Sequence, residues 1–134
     1  METGVINQSI TFECSTQMLY NILMDEKLHS IVTDGLVEMS NEVGGKFSVF
    51  DGYCSGYNIE LEVGNKIVQA WNFKEDGWPA DHYSICTFIF KPISDGCLLT
   101  FSQTNIPEHK VEALKEGWTD YYWEPIKTYL KNIR

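Results

Sequence analysis

Apolar and polar residues alternate loosely from Ile6 to Phe12, which predicts a first β-strand. The period then lengthens. Leu19, Ile22 and Leu23 share one face of a short helix that Ser15 or Thr16 can cap and that runs to Met24. Leu28, Ile31 and Val32 repeat the spacing in a second helix behind Asp25, with Gly35 expected as its left-handed stop. From Glu38 onward the period becomes two, and Gly44-Gly45, Asp51-Gly52, Gly64-Asn65 and Asp95-Gly96 mark turns between successive strands. In the strand after Gly52, alternation puts Tyr57, Ile59, Leu61 and Val63 on a dry face and Asn58, Glu60 and Glu62 on a wet one. Gly56, inside that strand, marks a bulge or a close backbone approach. A further strand, "KIVQAWNF", leads through the loop "KEDGWPAD" to a last hairpin built from "HYSICTFIFKPI" and "GCLLTFSQTNI".

Past Pro107 the pattern is helical to the end. Val111, Leu114, Trp118, Tyr121, Tyr122, Ile126, Tyr129 and Ile133 fall within an arc of ~140° at 100° per residue. Gly117 weakens this helix, and Pro125 removes the bond to the Tyr121 carbonyl and is expected to kink it. The expected fold class is α+β: a strongly curved antiparallel sheet of about six to seven strands wrapped around a long C-terminal helix, with two short helices after the first strand. Residues 1–134 read as a single domain, with no repeat or linker.

Composition narrows the function classes. With 43% hydrophobic and 13% aromatic residues, 134 residues can build a core without staples, and no run reaches the ~18 apolar residues of a membrane span. A formal net charge of −9 repels phosphate backbones and anionic lipid, so neither nucleic acid nor membrane is an expected partner. The start "METGVINQSITF" has neither the basic nor the apolar block of a secretory leader, which points to the cytoplasm or nucleus. In that reducing setting Cys14, Cys54, Cys86 and Cys97, which form no CxxC pair, read as buried thiols.

No reaction suggests itself. His29, His82 and His109 have no ligand at metal spacing, no serine sits in a GxSxG context, and the pairs Glu60/Glu62 and Asp120/Glu124 read as solvated faces. The chain is expected to be no enzyme and to need no cofactor or metal. A sheet around a helix can nevertheless enclose an apolar cavity, for which Trp71, Phe88, Trp118 and Tyr122 are the candidates, with plain core packing as the alternative. Trp123 lies ~140° round the helix from Trp118, so either the Pro125 kink buries it or it is an interface anchor. Trp78-Pro79 in the long loop carries the same two readings.

The ordered set "GGKF", "DGYCSG", "IVQAWNFKEDGWPADHYSICTFIF", "NIP" and "EGWTDYYWEPIKTYL" resembles the C-terminal domain of the activator of the 90-kDa heat shock protein ATPase, within the START-like helix-grip superfamily. Its most specific parts are Gly44-Gly45-Lys46-Phe47, Asp51-Gly52, Ser55-Gly56, Trp78-Pro79 with His82, and Gly117-Trp118 with Tyr121-Tyr122. The resemblance implies a co-chaperone that binds the 90-kDa heat shock protein chaperone and favours its closed, hydrolysing conformation, the chaperone itself splitting ATP. Two-domain members of the family carry a separate N-terminal domain, and this sequence begins at the C-terminal domain's first strand. The wider superfamily implies the alternative of a carrier for a small apolar ligand.

Overall fold

In a computed structural model, which describes residues 1–133, the predicted caps at Ser15 and Asp25 form, whereas the predicted stop at Gly35 does not. Strand β1 (Thr3–Phe12) ends where Ser15 takes extended geometry and its side chain accepts from the Met18 N–H, starting helix α1 (Thr16–Met24). Asp25 closes α1 and caps α2 (Glu26–Thr33) by accepting from the Leu28 N–H. The left-handed residue that stops α2 is Asp34 (φ 56°, ψ 44°), not the expected Gly35. Aspartate tolerates that region, and Gly35 serves packing instead, since a Cβ there would lie 3.3 Å from the Phe50 Cα.

Six strands follow: β2 (Glu38–Met39), β3 (Lys46–Val49), β4 (Cys54–Glu62), β5 (Lys66–Phe73), β6 (Ser84–Ile93) and β7 (Gly96–Pro107). All neighbours are antiparallel, in the order β1-β7-β6-β5-β4-β3-β2. The first strand therefore pairs with the last, and α1 and α2 carry the chain from that edge to the opposite one. At Gly56 an added Cβ would come within 1.7 Å of the Ala70 carbonyl oxygen, so the close-approach reading holds there. The bulge lies two residues on, between Asn58 and Glu60.

That bulge accompanies a reversal of the predicted faces. Tyr57 and Ile59 are about 40% exposed, whereas Asn58 is buried. The loop before β3 decides this: the Ser40 and Glu42 carbonyls turn inward and need a donor, and the Asn58 Nδ2 supplies bonds of 2.7 and 3.0 Å to them. The chain of amides continues, with Gln69 Nε2 donating to Asn58 Oδ1 (2.9 Å) and Trp71 Nε1 donating to Gln69 Oε1 (3.0 Å). Beyond the bulge the alternation inverts and Leu61 packs against the core.

The C-terminal helix is composite. A 3-10 turn (Glu108–Lys110) leads into α3 (Val111–Trp118), a π-helical turn spans Thr119–Trp123, and α4 (Glu124–Asn132) completes it. Pro125 explains the π-turn: it has no N–H for the Tyr121 carbonyl and its ring would strike that oxygen, so the turn before it opens and the Glu124 N–H reaches back five residues to Thr119. The extra residue rotates the predicted stripe. Tyr121, expected inside, is 62% exposed, while Trp123 turns in and stacks on Trp118 at 5.5 Å with the ring planes 19° apart. Leu130, outside the predicted stripe, is buried, and Ile133, within it, is exposed.

Candidate functional site

Three polar contacts lock the aromatic face of the helix in place, two onto the sheet and one onto α2. Trp118 Nε1 donates to Gln103 Oε1 (2.8 Å), and Gln103 Nε2 donates to Ser84 Oγ (2.9 Å). Trp123 Nε1 donates to Gln8 Oε1 (2.8 Å). Tyr122 meets His29 of α2 at 2.8 Å. Because the other ring nitrogen of His29 lies 2.9 Å from the Leu23 carbonyl, which can only accept, Nδ1 carries the proton and Nε2 accepts from the Tyr122 hydroxyl. Burial lowers the His29 pKa to about 4, which keeps this arrangement neutral. No buried side-chain N or O atom among the described residues lacks a partner.

Beside these contacts the helix stands off the sheet and leaves a cavity of about 410 Å³. Its floor is Trp71 and Phe73 of β5 with Cys54 of β4. One wall is the turn after β3, where Phe50, Asp51 and Gly52 all have positive φ and bring Phe50 and Tyr53 over the opening. The other wall is the helix, from Ala113 and Leu114 through Gly117 and Trp118 to Tyr121 and Tyr122. The cavity opens to solvent where Tyr53, Ala113 and Tyr121 are exposed. Polarity is confined to one corner, where Glu75 accepts from the Tyr53 hydroxyl and pairs with Lys110 at 3.0 Å.

The lining is suited to binding. Burial, then the Glu75 carboxylate, push the Cys54 thiol well above its usual range, so it stays protonated and a poor nucleophile. Burial, followed by Glu75, likewise raises the Tyr53 phenol. Among the described residues no three His, Cys, Asp or Glu side chains gather as a metal site would require.

Of the predicted cavity residues, Trp71, Trp118 and Tyr122 line this space. Phe88 does not: it is buried under Phe101 (5.0 Å) and Trp118 (6.0 Å), because its strand lies beneath the closed part of the helix. The alternative left open for the tryptophans resolves toward burial. Trp123 is 2% exposed because the π-turn rotates it inward, and so offers no surface anchor. Trp78 is 6% exposed, packed on Phe73 at 4.7 Å, with Nε1 donating to the His82 carbonyl (2.9 Å). Only Pro79 of the three lies on the surface.

Of the polar keys, Gln8, Gln69 and Gln103 carry no role in the sequence pattern, Asn58 falls on the predicted wet face, and His29 only lacks a metal-spaced partner there. A signal existed for two of them. Gln69 shares the inward phase of Ile67, Trp71 and Phe73, and Gln103 that of Cys97, Leu99 and Phe101.

Residues 13–131 match the model of a family described as Activator of Hsp90 ATPase homolog 1-like protein. A human relative, activator of 90 kDa heat shock protein ATPase homolog 1, is 32% identical over 117 residues, covering 87% of this chain and 34% of its own length. Mouse homolog 2 is 30% identical over 129 residues, covering 96% and 38%. This chain thus spans little more than a third of those curated relatives. Among solved structures, an HSP90 activator from Plasmodium falciparum superposes with a TM-score of 0.88 at 26% identity, covering 95% of this chain and 96% of that one. A Mesorhizobium loti protein at 17% identity and a TM-score of 0.81 shares the fold.

Proposed function

We propose, since the chain belongs to the Activator of Hsp90 ATPase homolog 1-like family, that it binds a chaperone of the 90-kDa heat shock class and accelerates that chaperone's ATPase cycle. The observation that carries this reading is the likeness to the Plasmodium falciparum HSP90 activator, whose solved chain superposes on this one over 96% of its extent.

In this reading residues 1–134 act as a single domain in the cytoplasm, and the chain performs no chemistry of its own. A binder speeds a conformational step only by preferring the conformation beyond it. Favouring the hydrolysing state tenfold needs about 1.4 kcal/mol of differential affinity, which a few interface residues can supply. Pro79, exposed beside the buried Trp78, is one proposed contact. ATP turnover by the purified chaperone, titrated with this protein, tests the reading: a saturable rise is expected, and an unchanged rate at excess protein contradicts it. The 410 Å³ cavity favours a second reading, a carrier of a small apolar ligand. A lipid or sterol bound only to the folded state would raise its melting temperature.

A further inference from the structure

We propose that the cavity mouth is a docking site for one bulky apolar side chain presented on a lysine- or arginine-rich segment of a protein partner. This rests on the reading above only in taking the partner to be a protein. Gly117 gives the first reason. In α3 a glycine is unfavourable relative to alanine, yet an added Cβ would meet only the Tyr121 ring, at an ordinary 3.8 Å. Packing therefore does not require glycine, and its effect is to keep the helix surface low where the cavity opens between Ala113 and Tyr121.

Charge gives the second. Glu112, Glu116 and Asp120 follow one another at four-residue steps along the helix edge beside the mouth. Like charges at that spacing disfavour a helix, so the ladder does not serve the helix. Glu112 is offset by Lys115 at 3.7 Å, but exposed Glu116 and Asp120 enter no ion pair among the described residues. On the other wall, exposed Asp51 adjoins Phe50, with its Oδ1 accepting from the Leu36 N–H at 3.1 Å, and exposed Asp76 adjoins Glu75; neither enters an ion pair among the described residues. Lys110 is held by Glu75, leaving Lys74 as the one unpaired cation on this rim among the described residues. A neutral small molecule would gain little from four carboxylates round the entrance. A cationic segment gains from all of them, and its apolar side chain gains the aromatic floor of Trp71 and Phe73.

The test uses the full chain and a short fluorescent peptide with one tryptophan between two pairs of lysines, read by anisotropy. Tryptophan→alanine and lysine→glutamate peptides are the controls. The proposal expects saturable binding that weakens roughly tenfold with either control, with Gly117→Leu, which fills the mouth, and with the double variant Glu116→Lys, Asp120→Lys. The double variant lies wholly on the surface and relieves the like-charge ladder, so its circular-dichroism melt should be no lower than wild type. Binding that ignores the tryptophan, or that both protein variants retain in full, overturns the docking site, as does uptake of a neutral apolar dye with no peptide binding. Chaperone stimulation is recorded in parallel. Equal stimulation by wild type and double variant, with peptide binding indifferent to both changes, sinks the docking site alone. No stimulation by wild type, with the peptide held through tryptophan and carboxylates, sinks the functional reading alone.

Discussion

Replacing Gln103 by leucine tests whether the helix is held to the sheet by polar keys as well as by ring packing. Gln103 is fully buried, and its Oε1 is the acceptor for the Trp118 indole N–H at 2.8 Å. Leucine has nearly the same bulk, so the packing term is small. Ser84 loses only a bond that its oxygen accepted, and its own proton still reaches the Trp71 carbonyl at 3.2 Å. The main cost is one indole N–H left unsatisfied in the core, about 1–3 kcal/mol. Against the roughly 7–20 kcal/mol total stability of a domain this size, that is a visible loss. With a urea m-value of about 2 kcal/mol/M, the midpoint should fall by roughly 0.5–1.5 M at constant m. Trp118→Phe removes the donor itself, so in a double-mutant cycle the leucine change should cost far less in the phenylalanine background. Strictly additive single and double losses, or a midpoint shift for Gln103→Leu within error of zero, would refute the reasoning.

Two further outcomes concern His29 and Gly117. The folded-state pKa of His29 is lowered from 6.5 to about 4, so the unfolded chain takes up the proton first; stability is fully present above pH 6.5 and is lost, by about 3 kcal/mol, as pH falls through that window. Urea midpoints measured from pH 7 to 4 should show this slope in wild type and a shallower one in His29→Gln, and parallel profiles would contradict it. Gly117→Ala should stabilise by about 1 kcal/mol and raise the melting temperature by roughly 3–5 °C, because the added methyl finds ordinary contact distances.

The period change at Glu38, the capping residues Ser15 and Asp25 and the terminal stripe as far as Trp118 are legible because they depend on neighbours close in sequence. Distant groups decide the rest. Alternation puts Asn58 on the wet face, and only the inward carbonyls of Ser40 and Glu42 make it a core residue. Pro125 announced a break, but whether the helix would bend or take an extra residue depended on burying Trp123 beside Trp118 and Gln8. The cavity was partly legible for the same reason. Its floor follows from strand phase, while its wall at Phe50 and Tyr53 hangs on three successive positive-φ residues in a turn.

Affinity for the two states of the chaperone tests the central claim most directly. This protein should bind the purified 90-kDa chaperone about tenfold more tightly when a non-hydrolysable ATP analogue holds it closed than when it carries ADP. Equal affinity for both states, or no complex with either, would contradict the account.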